Sequence, residues 1–120
     1  MKTILSVDDS ASMRQMVAFT LEGAGYRVVQ AEDGEAALAK VAQGRPDMVI
    51  TDLNMPKLDG IGLIRRLRAD PRCAGMPIVM LTTESEETRK ADGKNAGATG
   101  WIVKPFDQAK LIAVAKKLIG

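Results

Sequence analysis

The chain has 120 residues, 46% hydrophobic content and a formal net charge of +2, which suits one packed domain and argues against nucleic-acid binding. Because it has no histidine, a Ser-His-Asp triad, a histidine zinc site and an imidazole general base are excluded within the chain. It shows no signal-peptide pattern or long apolar span, and its single cysteine, Cys73, cannot form an internal disulfide. We therefore expect one domain over residues 1–120, monomeric and cytoplasmic, with an unreactive Cys73 and no membrane insertion.

Short apolar runs alternate with amphipathic stretches along the chain. The apolar runs predict strands buried on both faces, at Thr3–Val7, Arg27–Ala31, Asp47–Thr51, Ile78–Thr82 and Gly100–Val103. The amphipathic stretches predict helices, one from near Ser10 and others near Glu35–Gln43, Ile61–Ala69, Glu86–Ala96 and Gln108–Ile119. With right-handed crossovers, this alternation predicts an α/β fold: a single doubly wound five-stranded parallel sheet with five helices.

Polar side chains stand where the predicted strands end. Asp8 and Asp9 follow the first strand, and Asp52 follows the third. Thr82 closes the fourth strand, and Lys104 follows the fifth. Because the carboxyl ends of parallel strands lie at one edge of the sheet, we expect all five side chains at that edge.

The acidic residues also predict the strand order. Neighbouring strands are about 4.8 Å apart, so second neighbours are roughly 10 Å apart. Carboxylates on the first and third strands can share a Mg²⁺, with its metal–oxygen distance of about 2.1 Å, most easily if those strands are neighbours. The second strand then lies outside the first, which gives the order 2-1-3-4-5.

The acidic cluster predicts phosphoryl chemistry. A carboxylate can attack a phosphoryl group to form an acyl phosphate, and Asp52 is the predicted nucleophile. Three carboxylates repel a phosphoryl anion unless a cation is present, and Asp8 and Asp9 would recruit Mg²⁺. Asn54, two residues after Asp52, is placed to offer its backbone carbonyl to the metal.

The remaining strand-end residues fit the same reaction. Lys104 would bring a positive charge to the phosphoryl oxygens, and Thr82 a hydroxyl donor. Taken singly, each residue has a simpler explanation: Asp8 or Asp9 as a helix cap, Asp52 as a turn former, Thr82 and Lys104 as ordinary surface or strand-end residues. Their conjunction at four strand ends favours one site.

In these residues the sequence resembles the receiver domain of two-component response regulators. The resemblance covers nearly the whole chain and is carried by Val7–Ser10, Asp52–Gly60, Leu81–Glu84 and Val103–Phe106. It implies a flavodoxin-like receiver fold with the order 2-1-3-4-5. It also implies that Asp52 accepts phosphate from a histidine kinase, and that Lys104–Pro105 is a cis peptide bond.

The resemblance further implies the role of each site residue. Mg²⁺ would be bound by Asp9, Asp52 and the Asn54 carbonyl, and by Asp8 through water. Thr82 and Lys104 would contact the phosphoryl group. The residues that correspond to positions tuning acyl-phosphate hydrolysis or donor access are Asn54, Thr83 and Glu84, and the bulk of Thr83 is expected to slow phosphoryl exchange.

A switch is implied as well, in which Thr82 moves toward the phosphoryl group and an aromatic residue of the fifth strand turns inward. That position holds Trp101, where the family more often has tyrosine or phenylalanine. The alternative is that Trp101 is a partly buried surface aromatic. The helix near Glu86–Ala96 has little apolar surface, so we expect a low-stability element that reshapes the face formed by helix 4, strand 5 and helix 5.

These features predict a stand-alone, phosphorylation-operated binding switch rather than an enzyme. The similarity is greatest to single-domain chemotaxis regulators, through Ser10–Arg14 and Leu81–Glu84, and implies a motility switch or other output protein as partner. A phosphorelay intermediate or phosphate sink is the alternative within the family. A flavodoxin-like cofactor binder is disfavoured because Asp8 and Asp9 would repel its phosphate, and a magnesium-dependent hydrolase because Asn54 stands where such enzymes place an acid.

Overall fold

Five strands alternate with five helices in the computed structural model, which describes residues 1–83 and 87–120. The strands are β1 Thr3–Val7, β2 Arg27–Ala31, β3 Met48–Asp52, β4 Ile78–Thr83 and β5 Gly100–Lys104. The helices are α1 Ala11–Gly23, α2 Gly34–Gln43, α3 Gly60–Ala69, α4 Glu87–Ala96 and α5 Gln108–Ile119, with a 3₁₀ turn at Pro71–Cys73. The predicted bounds of β1 and β2 match these, β3 lies one residue later than predicted, and β4 and β5 each end one residue later, so Asp52 and Lys104 are the last residues of their strands. The predicted first residue of α4, Glu86, lies outside the described residues.

All five strands are parallel, in the order β2-β1-β3-β4-β5, which confirms the predicted fold and order. Val7 of β1 pairs with Thr51 of β3, and Asp52 pairs with Leu81 of β4. This register brings the carboxyl ends of the three central strands to one edge, as expected for a doubly wound sheet.

The core forms two layers because successive strand residues point to opposite faces of the sheet. Leu5 and Val49 belong to the layer under α2 and α3, whereas Ile4 and Ile50 belong to the layer under α1 and α5. The expected burial on both faces holds for β1, β3 and β4. It fails for β2 and β5, because these strands form the two sheet edges and lack a neighbour on one side.

Helix starts are fixed by side-chain caps next to the strand ends. Ser10 Oγ accepts the Met13 N–H of α1 at 3.2 Å, and Asp59 Oδ1 accepts the Gly62 N–H of α3 at 2.8 Å. Such caps satisfy one of the amide groups left free at a helix start. Since Ser10 caps α1, the side chains of the two preceding acids are available for other contacts.

α4 packs on the sheet through one close contact, between Gly93 and Met80 of β4, rather than through a large apolar face. Gly93 is its buried residue, and a Cβ built there would lie 2.0 Å from Met80 Sδ. The sparse apolar burial agrees with the weak stripe seen in the sequence.

Cys73 is fully buried, although the sequence around it is polar. Burial raises the pKa of its thiol above the usual 9.0, which keeps the thiol protonated and unreactive at neutral pH. No helix in the described parts of the chain combines the length and apolar composition needed to cross a bilayer.

Candidate functional site

Three carboxylates meet at the carboxyl edge of the sheet. One oxygen from each of Asp8, Asp9 and Asp52 lies within 4.8 Å of the other two. Asp8 is 2% exposed, whereas Asp9 is exposed and Asp52 is partly buried. The structure thus brings together the three acids that the sequence placed at the ends of β1 and β3.

Asp8 is the most constrained of the three. Its Oδ1 accepts the Ser10 N–H at 2.9 Å, but its buried Oδ2 has no hydrogen-bond partner among the described residues. Desolvation by burial raises the pKa of this carboxyl above its usual 3.8, and the charges of Asp52 and Asp9 add to the rise, while the Ser10 hydrogen bond and Lys104 oppose it. A cation bound here would give this oxygen a partner and offset the disfavoured negative charge.

Asp52 already has a positive partner. Lys104 Nζ lies 3.2 Å from Asp52 Oδ1, and the same oxygen accepts the Leu53 N–H at 2.9 Å. The lysine comes from β5 and reaches over the end of β4, which separates β5 from β3. Its ammonium group therefore lies where it can balance charge on any group attached to Asp52.

Thr82 contributes a buried hydroxyl to the same edge. Its residue is 1% exposed, and its Oγ1 has no hydrogen-bond partner in the part of the chain that the structure describes. It stands on β4 opposite Val103 of β5 and directly follows Leu81, which pairs with Asp52 of β3. An unpaired buried hydroxyl costs free energy, so it is poised to donate to an incoming anion.

The donor set fits Mg²⁺. This ion prefers oxygen ligands, keeps several waters and is usually held by one or two carboxylates together with substrate oxygens. Three converging carboxylates, of which Asp8 has an unpaired buried oxygen, supply such ligands.

Other predicted residues lie around this cluster. Asn54 is exposed in the loop after β3, and Thr83 is half-buried at the end of β4; their tuning roles, and the Asn54 carbonyl as a metal ligand, stay predictions. Glu84 lies outside the described residues. The Lys104–Pro105 peptide bond is cis, as the resemblance implied.

Trp101 is exposed and lies beside two lysines of α4. It is 42% exposed, and its ring lies 5.9 Å from Lys90 Nζ and 5.8 Å from Lys94 Nζ of α4. These distances lie within cation–π range, so the two ammonium groups favour this position of the indole beside α4. This conformation agrees with a surface aromatic, and inward rotation on activation stays a prediction.

Two arginines of the site were missed by the sequence reasoning. Arg89 of α4 donates from Nη2 to the Leu53 carbonyl at 3.2 Å and lies 3.6 Å from the Asp59 carboxylate. Arg14 of α1 donates from Nη1 to the Asp8 carbonyl at 2.5 Å. Both tie a helix to the backbone beside a cluster carboxylate. In sequence they look like ordinary solvated helix residues, so no signal marks them.

In magnesium-free buffer at pH 7, we expect the free energy of unfolding of Asp8→Asn to exceed that of the wild type by about 1–3 kcal/mol. A carboxyl whose pKa is raised in the folded state contributes most stability below the unfolded pKa, and this contribution is lost as the pH rises through the folded value. At pH 7 the Asp8 charge is therefore a cost, which the amide removes. Urea titration measures the difference.

The same variant should lose stabilisation by Mg²⁺. A ligand at a hundredfold excess over its dissociation constant stabilises the folded state by about 2.7 kcal/mol. Asp92→Asn, an exposed carboxylate of α4, is the control and should keep the magnesium effect. Equal responses of Asp8→Asn and Asp92→Asn to Mg²⁺ would show that Asp8 is not a ligand.

Comparison with known proteins agrees with this site. The response regulator receiver domain profile matches residues 4–116. The phosphate regulon transcriptional regulatory protein PhoB of Pseudomonas aeruginosa is 42% identical over 98% of this chain, and the alkaline phosphatase synthesis transcriptional regulatory protein PhoP of Bacillus subtilis is 39% identical over 98%. The matches cover 52% and 48% of those proteins, so the chain spans about half the length of these curated relatives.

Solved structures give the same family. The chemotaxis protein CheY4 of Vibrio cholerae superposes with a TM-score of 0.93 at 44% identity, covering 99% of both chains. A putative response regulator from Chloroflexus aurantiacus has a TM-score of 0.93 at 37% identity, covering 98% of this chain and 96% of its own. The fold, the matched profile and these relatives together establish that the chain belongs to the response regulator receiver domain family.

Proposed function

We propose that Asp52 accepts a phosphoryl group from the phosphohistidine of a histidine kinase. The observation that carries this proposal is the convergence of the Asp8, Asp9 and Asp52 carboxylates within 4.8 Å, with the Lys104 ammonium 3.2 Å from Asp52. An Asp52 oxygen attacks phosphorus, the P–N bond to the imidazole breaks, and the imidazole nitrogen retains the bonding electrons and is protonated. The chain is itself the substrate, so it is an acceptor rather than an enzyme.

The side chains around Asp52 would share the charge of the transferred group. Mg²⁺ held by Asp8, Asp9 and Asp52 would neutralise part of that charge. The Lys104 ammonium would exchange its contact with Asp52 Oδ1 for one with a phosphoryl oxygen, because both carry negative charge at the same place. The unpaired Thr82 hydroxyl would donate to another oxygen, and so gain a partner that it lacks among the described residues.

Acetyl phosphate tests this proposal without a cognate kinase. Incubation with Mg²⁺ should raise the intact mass by one phosphoryl group, and hydroxylamine should reverse the change because acyl phosphates react with it. Chelation of Mg²⁺ by EDTA in a matched sample should prevent the gain. An unchanged mass with Mg²⁺, or a hydroxylamine-stable adduct, would contradict phosphorylation of a carboxylate.

For the output, we infer a single-domain chemotaxis or motility regulator acting as a monomer in the cytoplasm. The support is the Vibrio cholerae chemotaxis protein, which matches over 99% of both chains. The transcriptional regulators that are twice as long favour a second candidate, the receiver part of a DNA-binding regulator. A phosphorelay intermediate is a third.

The face formed by α4, β5 and α5 fits a protein partner with an acidic segment. α5 carries Lys110, Lys116 and Lys117 and no acidic residue, and Trp101 is exposed beside the lysines of α4. Exposed aromatic residues are enriched at protein interfaces, and a cationic face attracts an acidic partner through complementary charge. Phosphorylated protein should therefore bind a purified flagellar switch protein, while binding to DNA, or phosphoryl transfer to a second histidine domain, would favour the other candidates.

Trp101 offers a direct measure of switching because it is the only tryptophan in the chain. If the indole turns inward on phosphorylation, its emission should shift to shorter wavelength and iodide should quench it about twofold less, since the ring leaves the solvent. Asp52→Asn treated in parallel should show neither change. Unaltered emission and quenching in fully phosphorylated protein would rule out the rotation.

A further inference from the structure

A cavity of about 450 Å³ opens at the amino edge of the sheet, the edge opposite the acidic cluster. Its floor is formed by β1 and β2, where Leu5 pairs with Val29 and Thr3 pairs with Arg27. The end of α2 and the following loop form its walls. The cavity plays no part in the phosphoryl chemistry proposed above.

The cavity exists because α2 ends before it covers the amino half of the sheet face. This helix ends at Gln43, and Gly44 and Arg45 then lead the chain back toward β3. Residues two apart on a strand share a face, so Thr3 lies on the same face as Leu5. The helix covers the carboxyl half of that face and leaves the amino half, beside the edge strand β2, without a covering element.

Three cations surround this opening. Arg27 and Lys40 are exposed and form no ion pair with any described residue. Arg45 is fixed by two backbone carbonyls, donating from Nε to Arg72 O at 2.6 Å and from Nη1 to Pro46 O at 3.1 Å. The three charges are thus held around one opening without a partner to neutralise them.

No acid lines the cavity among the described residues. The acid next along the chain, Asp47, is engaged elsewhere, because its Oδ2 accepts the Thr3 N–H at 2.8 Å. The half-buried Val29 gives the floor an apolar surface, with the buried Leu5 and Pro46 behind it. The cavity therefore combines an apolar floor with an uncompensated cationic rim.

We propose that this cavity binds a small anion that joins a planar apolar group to a phosphate, as a nucleoside monophosphate does. Its volume lies within the range of about 300–1,000 Å³ that is typical of small-molecule sites. The planar group would lie on the apolar floor at Val29. The phosphate would meet Arg27, Lys40 and Arg45, since guanidinium groups bind phosphate oxygens in pairs.

Titration of ¹⁵N-labelled protein with AMP in magnesium-free buffer tests the site. We expect amide shifts at Arg27, over residues 40–45 and at Asp47, and none at Asp8, Asp9 or Asp52. Adenosine alone and inorganic phosphate alone should each bind about tenfold more weakly than AMP, since each lacks one half of the contacts.

Two double variants, each lacking two positive charges, test where AMP binds. Arg27→Gln combined with Lys40→Gln should lower the affinity for AMP about tenfold or more. Both side chains are exposed, so their replacement removes charge without disturbing the core. Arg65→Gln combined with Arg66→Gln removes the same charge from exposed positions of α3 and should leave the affinity for AMP unchanged. Equal losses in the two double variants, or phosphate or adenosine binding as tightly as AMP, would overturn the proposal.

Discussion

Asp52→Asn is expected to abolish modification by acetyl phosphate, with a loss of at least about 10³-fold in rate, the scale on which removal of a nucleophile acts. The amide keeps the shape of the side chain and its contact with the Leu53 N–H, but its oxygen is a poor nucleophile. Intact mass after incubation with Mg²⁺ and the donor measures the loss directly. A residual rate near that of the wild type would place the acceptor on another residue.

Asp92→Asn is the matched control for this substitution. Asp92 is an exposed carboxylate on α4, so the variant loses one negative charge without touching the cluster. We expect it to be phosphorylated at the wild-type rate. If both variants lost the reaction equally, net charge rather than the Asp52 carboxylate would account for the effect.

The fold and the acidic cluster could be predicted because both follow from positions along the chain. A residue at the end of a parallel strand lies at the carboxyl edge of the sheet whatever the helices do, so Asp8 and Asp52 could be placed together before any coordinates. Lys104 follows by the same argument, and its ion pair with Asp52 spans two strand spacings.

Features that depend on helix placement could not be predicted. The contact between Arg89 and the Leu53 carbonyl requires α4 to lie close to β4, which the burial of Gly93 against Met80 allows. The outward position of Trp101 likewise depends on lysines from α4. Short-range sequence patterns hold no information about such distances, because they result from how separate elements pack.

Gly60→Ala should destabilise the fold and slow phosphorylation. A Cβ at Gly60 would lie 2.2 Å from the Asp52 carbonyl oxygen and 2.8 Å from Leu53 Cα, which are backbone atoms that no side-chain rotation can move. The Gly60 N–H also donates to the Leu53 carbonyl at 2.9 Å, so α3 cannot move away without losing that bond. Overpacking of this kind costs about 1–3 kcal/mol, and it displaces the strand end that carries Asp52.

Gly23→Ala separates this effect from a general response to losing a glycine. Gly23 is the last residue of α1, and a Cβ there would meet no heavy atom within 4 Å outside its own helix and its chain neighbours. We expect this variant to be more stable than the wild type by up to about 0.5–1 kcal/mol, because alanine loses less backbone entropy in a helix. Urea unfolding and acetyl phosphate kinetics on both variants provide the test. Since the Gly60 contact is with Asp52, the proposed phosphate acceptor, the Gly60→Ala substitution should slow phosphorylation even under conditions where the protein is fully folded, whereas Gly23→Ala should not.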